Sequence, residues 1–283
     1  MNDLVAFGEV LWDDYGSEKI IGGAPFNVCV HAKSLGVSPL LITAIGSDDN
    51  GKEALAEMER FGIPTIHQIN NKPTGRAQVN LDAEGVPHFA LDEDSAYDAI
   101  LPDSEMDEAA KKAKVFYFGT LAQRNTLSHK TLNRLLNRTK AIKVYDVNLR
   151  KGIENQEKIL EDSLIHTDIL KVNEEEFEHI ISLFIKYEDE NRAAKSLMKA
   201  FGIHGIFITR GENGATLYFK ERYLNKPSVS KEVVDTTGCG DAFTASIIAS
   251  LLNDEPDEVT LKKALEFSAK TATYKGAVPS SLE

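Results

Sequence analysis

A short segment near the C-terminus combines small residues and a carboxylate in a spacing that suits phosphate chemistry. In residues 233–243, Gly238 and Gly240 flank Cys239, and Asp241 begins an apolar stretch that predicts a buried helix. Two glycines allow a tight turn and leave backbone amides uncovered, and amides at a helix N-terminus bind anions. A carboxylate in the first helical turn can accept the proton of an attacking hydroxyl group. The spacing alone is equally typical of an ordinary turn and helix start.

A second glycine-rich segment, G-G-A-P-F-N at 22–27, suits a small polyhydroxyl ligand. Gly22 and Gly23 allow such a ligand to approach the backbone, and Asn27 offers both a hydrogen-bond donor and an acceptor. Taken alone, a turn followed by a helix with Pro25 in its first turn explains the same residues.

Together these segments resemble the ribokinase-like carbohydrate kinases, also called the PfkB family. The string D-T-T-G-C-G-D-A-F at 235–243 matches the family signature D-T-T-G-A-G-D-x-F, with Cys239 as its one departure, and residues 22–27 match the family's G-G-x-x-x-N motif. Motifs in the family's order run from Gly8 to Ala277. The resemblance implies an ATP-dependent sugar kinase with Asp241 as the catalytic base and the backbone of Gly238, Cys239 and Gly240 as the phosphate cradle.

The resemblance is closest to the fructokinase-like branch, and it also implies which residues bind the sugar. The opening G-E-V-L-W-D at 8–13 ends in the acid that hydrogen-bonds sugar hydroxyl groups in the family, and a carboxylate can accept from two adjacent hydroxyls. D-V-N-L-R at 146–150 resembles a strand end whose arginine is a candidate contact to the substrate or the transferring phosphate. The implied substrate-binding residues are Asp13, Gly22, Gly23, Asn27 and Arg150.

Three further motifs are implied to serve the nucleotide and its ions. N-E-E-E at 173–176 resembles N-x-x-E, which organises Mg²⁺ and its water near the phosphates, and T-R-G at 209–211 resembles a strand end that borders the ATP phosphates. The implied nucleotide-site residues are Asn173, Glu176, Thr209 and Gly211, with Glu176 reaching Mg²⁺ through water. Asp235 and Thr237 stand where many relatives hold a monovalent cation, often K⁺.

The thiol of Cys239 replaces the alanine of the family signature. Because it lies beside a helix N-terminus, we expect its pKa to be lowered. Thiol reagents should then inactivate the protein, and ATP should protect it.

The elements that position these residues alternate along the chain. Strand-like runs at 4–7, 40–45, 115–118, 142–147, 169–172 and 206–209 are separated by helical patterns, which predicts a mostly parallel sheet covered by helices on both faces. The resemblance implies a ribokinase-like three-layer α/β/α sandwich. We expect one domain over 1–283, with a discontinuous β-lid formed by 13–21 and 65–92 that closes over the sugar and excludes water.

Composition excludes several classes of partner. A formal charge of −12, from 44 acidic and 32 basic residues, disfavours nucleic acid. No apolar stretch approaches the roughly 20 residues that span a bilayer, and the N-terminus lacks the pattern of a signal peptide. With only Cys29 and Cys239, no disulfide framework is needed. We expect a cytoplasmic protein whose partners are a sugar and ATP, and lid-to-lid dimers in relatives imply a homodimer.

The motifs of other nucleotide-binding and metal-binding proteins are incomplete in this sequence. G-S-D-D-N-G-K at 46–52 has P-loop spacing, but Glu53 follows where Ser or Thr would bind Mg²⁺. No G-x-G-x-x-G follows the first strand, and the histidines show no metal-ligand spacing. Fructose, giving fructose 6-phosphate, is the first substrate. The alternatives are another sugar, 2-keto-3-deoxygluconate, a nucleoside, or a non-catalytic sugar sensor.

Overall fold

The computed structural model describes residues 2–81, 87–150, 152–186, 189–220, 222–229 and 231–279. The strands are β1 (Leu4–Phe7), β2 (Leu11–Asp14), β3 (Lys19–Gly22), β4 (Pro39–Gly46), β5 (Thr65–Asn70), β6 (Gly75–Leu81), β7 (Pro87–Leu91), β8 (Val115–Gly119), β9 (Ile142–Asp146), β10 (Ile169–Asn173), β11 (Gly205–Thr209), β12 (Ala215–Phe219) and β13 (Arg222–Lys226). The helices are α1 (Ala24–Ser34), α2 (Asp49–Arg60), α3 (Ser104–Lys112), α4 (Thr126–Arg138), α5 (Gln156–Leu164), α6 (Glu174–Phe184), α7 (Glu190–Phe201), α8 (Cys239–Leu252) and α9 (Asp257–Thr271). Among them no helix has the length and apolar character needed to cross a membrane.

The larger sheet has the strand order β13-β12-β11-β10-β9-β8-β1-β4-β5. The strands from β11 to β5 in that order pair in parallel, and β12 and β13 pair antiparallel at one edge. The chain extends from β1 first through β4 and β5, and later through β8 and β9 on the other side. In such sheets ligands bind beyond the carboxyl ends of the strands, where the strand order reverses.

The two faces of this sheet bury two separate hydrophobic cores. In β1, Val5 and Phe7 face the core formed with α3 to α7, while Leu4 and Ala6 face the core formed with α1, α2, α8 and α9. The same alternation continues in the neighbouring strands, as the two-residue period of a strand requires. The three-layer α/β/α sandwich expected from the sequence is confirmed.

Helix α8 is buried on all sides, and this burial fixes the direction of its N-terminus. Every residue from Asp241 to Ser250 is buried, and α8 packs between α1 and α9. The helix begins at Cys239, and its N-cap residue Gly238 has a φ of 75°, in the left-handed region. A Cβ atom at this position would lie 2.3 Å from the carbonyl oxygen of Ala277, so only glycine fits.

The smaller sheet has the order β3-β2-β6-β7 and combines segments from both parts of the predicted lid. One boundary was wrong: residues 65–70 pair in parallel with β4, with Leu41 opposite Thr65, and form the edge of the larger sheet. In β5, Ile66 packs on the core while His67 and Ile69 are exposed. A half-exposed edge strand therefore has the same polar alternation as a lid strand. Residues 82–86 of the predicted lid lie outside the described residues.

We expect Gly238→Ala to destabilise the fold more than Gly202→Ala does. Gly202 ends α7 with a nearly identical φ of 74°, but a Cβ added there would meet no atom within 4 Å, so this variant reports backbone strain alone. That strain costs about 1–2 kcal/mol. Gly238→Ala adds the collision with Ala277, and its free energy of unfolding in urea should fall further. Equal losses in the two variants would contradict the importance of the contact.

Candidate active site

Asp241 lies in the first turn of α8, where it is joined to α1 by a buried hydrogen bond. The residue is 8% exposed, and its Oδ2 accepts a hydrogen bond of 2.8 Å from Nδ2 of Asn27. The two segments predicted to bind phosphate and sugar, 214 positions apart in sequence, thus meet at these two side chains.

Burial, together with the nearby negative charge of Asp146, raises the pKa of Asp241 to about 7. The hydrogen bond from Asn27 and the positive charges of Lys171 and Arg150 oppose the shift. A carboxylate with a near-neutral pKa can hold and release a proton under the same conditions, which suits a general base.

The backbone before Asp241 leaves several amides free. Cys239 N donates to Thr236 O at 3.2 Å. Within the described part of the chain, the amides of Gly238, Gly240 and Asp241 have no hydrogen-bond partner. Such unpaired groups at the start of a helix attract an anion, because the helix dipole adds to their partial positive charge.

A cavity of about 260 Å³ opens beside Asp241. Its wall includes Asp13, Gly23, Asn27 and Arg150, and the lid contributes Ala77 and Leu91. The structure therefore places most of the predicted sugar-binding residues around one cavity. Gly22 lies behind this wall: a Cβ there would be 2.7 Å from Oδ2 of Asp13, so glycine leaves room for that carboxylate.

The wall of this cavity contains two oppositely charged residues, Asp13 and Arg150. Burial raises the pKa of Asp13 to about 6, and the charge of Arg150 opposes the shift. Arg150 is oriented by its own loop, because its Nη1 donates to Asn148 Oδ1 at 2.7 Å and to Leu149 O at 3.2 Å.

A second cavity of about 650 Å³ lies on the other side of the cradle loop. Gly211, Val233, Cys239 and Leu265 line it, and Thr236 borders both cavities. The loop before α8 thus lies between a smaller cavity, which contains the carboxylates of Asp13 and Asp241, and a larger one.

Of the other residues predicted for the nucleotide, neither Thr209 nor Asn173 lines this second cavity. Thr209 ends β11, with its Oγ1 3.3 Å from Val172 O, and exposed Asn173 caps α6 by accepting from Glu176 N at 2.8 Å. Glu176 is buried, and its two oxygens accept from the amides of Leu149 and Asn173, both at 2.8 Å. Glu176 thereby holds the loop that carries Arg150.

The described residues contain no cluster of three or more side chains able to ligate a metal. At the predicted monovalent-cation position, Asp235 accepts hydrogen bonds of 2.9 Å from the amides of both Thr237 and Gly276. Although burial opposes it, these hydrogen bonds lower the pKa of Asp235, so its negative charge is maintained.

Comparison with known proteins decides the family. Residues 3–283 match the model of the pfkB family carbohydrate kinases. The chain belongs to this family.

Individual relatives agree with this assignment. The chain is 28% identical over 305 residues to fructokinase-2 of Solanum lycopersicum, covering 98% of this chain and 92% of the relative. It is also 28% identical to an ATP-dependent 6-phosphofructokinase of Thermoanaerobacterium thermosaccharolyticum, covering 96% and 87%. A crystal structure of an uncharacterized sugar kinase from Pyrococcus horikoshii in complex with ATP superimposes with a TM-score of 0.82 at 28% identity, covering 97% and 93%. The ribokinase-like fold is thus confirmed.

Two buried charged residues of this carbohydrate kinase were missed by the sequence analysis. Lys171 in β10 forms a buried ion pair with Asp146, with Nζ 3.0 Å from Oδ1. Glu9 follows β1 and lines the smaller cavity; its Oε1 accepts from Ala24 N at 3.3 Å, and its Oε2 has no partner among the described residues. Burial raises the pKa of Glu9 to about 7. In the sequence, the position of Lys171 inside an apolar run was a signal that it could be buried. Glu9 had no comparable signal.

The expected pKa of Cys239 was wrong. Burial raises it to about 11, and the negative charges of Asp235 and Asp241 contribute to the shift, although a hydrogen bond from Ser268 opposes it. Loss of water and two neighbouring carboxylates both disfavour the thiolate.

We therefore expect the kinase to react slowly with iodoacetamide at neutral pH and faster as the pH approaches 11. Cys239 lines the larger cavity and is the accessible thiol, because Cys29 is fully buried. Mass spectrometry of the tryptic peptides, with Cys239→Ser as control, measures the rate at each site. Rapid labelling of Cys239 at pH 7 would instead indicate that the pKa of this thiol is lowered.

We expect kcat/KM to fall as the pH is lowered through about 7, because the raised pKa of Asp241 leaves this carboxyl group, the base predicted from the sequence, protonated below that value. Asp146→Asn removes a negative charge that raises this pKa, so the acidic limb should move to lower pH. Glu9 titrates in the same range, and Glu9→Gln serves as the control: the limb must persist in it. A limb that disappears in Glu9→Gln assigns the titration to Glu9 instead.

Proposed function

We propose that this carbohydrate kinase transfers the γ-phosphoryl group of ATP to a sugar hydroxyl, with fructose, giving fructose 6-phosphate, as the first candidate substrate. The observation that carries the proposal is the position of Asp241. Its carboxylate stands where the smaller cavity meets the free amides at the start of α8, and Asn27 fixes its orientation.

The proposed reaction uses this arrangement directly. A sugar hydroxyl in the smaller cavity transfers its proton to Asp241 while its oxygen bonds to the γ-phosphorus. The bond to the oxygen bridging the β- and γ-phosphates breaks, and that oxygen leaves with ADP. The free amides of Gly238, Gly240 and Asp241 stabilise the charge on the phosphoryl group in transit. Asn173 and Glu176 would hold Mg²⁺, Glu176 through water, and the bound ion would further neutralise the phosphates.

The charges of the smaller cavity favour a neutral sugar. Glu9, Asp13 and Asp241 line it, against Arg150 as the cation in its described wall. Three carboxyl groups suit hydroxyl donors, whereas 2-keto-3-deoxygluconate or a phosphorylated sugar needs more than one cation. The described wall also contains no aromatic ring on which the base of a nucleoside could stack. Another neutral sugar remains the alternative to fructose.

The lid supports the same conclusion. Ala77 and Leu91 contribute apolar surface to the wall of the cavity, and Ala77 is the register neighbour of Asp13. Closure of the lid over a bound sugar would remove water that could otherwise accept the phosphoryl group.

Three further expectations are kept as proposals. The fixed negative charge of Asp235, together with Thr237, supports binding of K⁺. A lid-to-lid homodimer rests on the family resemblance, and a cytoplasmic location rests on the small number of cysteines. A non-catalytic sugar sensor is the alternative of another class, and the presence of Asp241, Asn27 and the free amides argues against it.

We expect Asp241→Asn to lower kcat with fructose by about 10²- to 10⁴-fold while ATP binding stays within a few-fold of wild type. Asn is nearly isosteric but accepts no proton. Asp13→Asn is the matched comparison and should chiefly raise KM for the sugar. A coupled ADP-release assay measures the rates, and calorimetry measures ATP binding. Full activity in Asp241→Asn would exclude it as the base.

A panel of fructose, other neutral hexoses and pentoses, fructose 6-phosphate, 2-keto-3-deoxygluconate and adenosine tests the substrate. We expect the highest kcat/KM with a neutral sugar, because of the acidic wall of the cavity. A preference for an anionic substrate would contradict this assignment. A sugar that binds by calorimetry but is never phosphorylated would favour the sensor.

A further inference from the structure

Lys171 is a charged residue inside an otherwise apolar strand. Its neighbours Leu170 and Val172 belong to the core on the α3–α7 side of the sheet, so the side chain of Lys171 points to the opposite face, toward α8. The residue is only 6% exposed. Burying an ammonium group is costly unless its charge and its three N–H donors find partners.

The structure supplies one of those partners. Nζ of Lys171 donates to Oδ1 of Asp146 at 3.0 Å, and Oδ2 of Asp146 accepts from Oγ1 of Thr244 at 2.9 Å. Among the described residues, Lys171 makes no other hydrogen bond through its side chain, so two of its donors are unused. Burial lowers the pKa of Lys171, but Asp146 and Glu176 more than offset this, and the amine stays charged.

The unused donors lie at the phosphate cradle. A Cβ atom built on Gly240 would be 3.0 Å from Nζ of Lys171, so the ammonium group lies against the first turn of α8. The amides of Gly240 and Asp241 in that turn are also free within the described part of the chain. Free N–H donors of the backbone and of a buried cation thus lie at the same helical turn, close to carboxylates that would repel a phosphate.

We propose that Lys171 donates a hydrogen bond to an oxygen of the phosphoryl group during its transfer. The inference rests on the proposed kinase function and adds to it a cation for the step. The sugar oxygen bonds to phosphorus, the bond to the bridging oxygen breaks toward ADP, and the proton goes to Asp241. Lys171 keeps its own proton throughout and offsets the charge that the phosphoryl oxygens gain.

The competing explanation is that Lys171 only neutralises Asp146. Breaking a buried pair by removing one partner destabilises a protein, whereas replacing both partners is often tolerated. The double variant Lys171→Met/Asp146→Asn therefore separates the explanations. If the pair is only structural, the double variant regains both thermal stability and activity.

We expect the double variant to melt closer to wild type than Lys171→Met alone, while its kcat stays at least about 100-fold below that of Asp146→Asn. Lys171→Arg keeps the charge and should retain more activity than Lys171→Met. The matched control is Lys143→Met, which removes a partly exposed lysine of the adjacent strand that pairs with Asp168 at 2.9 Å. It should leave kcat unchanged.

A binding measurement tests the contact without turnover. Aluminium fluoride with ADP mimics the phosphoryl group in transit, and we expect it to tighten ADP binding in the presence of sugar for wild type but not for the double variant. A double variant with the kcat of Asp146→Asn, or with unchanged aluminium fluoride binding, would overturn the role of Lys171. A wild-type protein that phosphorylates no sugar would instead overturn the proposed function.

Discussion

The site depends on a helix that is buried on every side except at its first turn. Because α8 packs between α1 and α9, its N-terminus is fixed at the carboxyl edge of the larger sheet. The amides of Gly238, Gly240 and Asp241 therefore stay unpaired in a place that the rest of the described chain does not fill. The hydrogen bond that Asn27 of α1 donates to Asp241 then fixes the position of the carboxylate beside these amides.

The electrostatics of the site follow from crowding carboxylates in a space with little water. Asp13, Glu9 and Asp241 all have raised pKa values because of burial, and Asp146 adds to the effect at Asp241. A protein with a net charge of −12 still offers local donors to an anion, because backbone amides and Lys171 act at short range. The net charge therefore disfavours nucleic acid as a partner without bearing on ATP.

Local sequence predicted the parts of the structure that depend on local chemistry. The cradle glycines and Asp241 lie within one short segment, and the strand and helix periods predicted the three layers. The prediction failed where tertiary contacts decide: β5 has the alternation of a lid strand but pairs with β4. The interaction of Lys171 with Asp146 joins two neighbouring strands and is not visible in the local sequence. The pKa of Cys239 is likewise determined chiefly by its burial in the folded protein.

The cradle also depends on a segment further along the chain, at residues 276–277. Asp235 ties the loop to Gly276 N, and Gly238 packs directly on Ala277. Ala277 O lies 2.8 Å from Nε2 of His31. Burial lowers the pKa of His31 to about 4, so the ring is neutral at physiological pH and Nε2 carries the proton in this bond. Because His31 and Asn27 are one turn apart on α1, the same helix contacts both Asp241, the proposed base, and Ala277, which packs on the cradle loop. A shift of α1 would therefore move the contacts of Asp241 and of the cradle loop together.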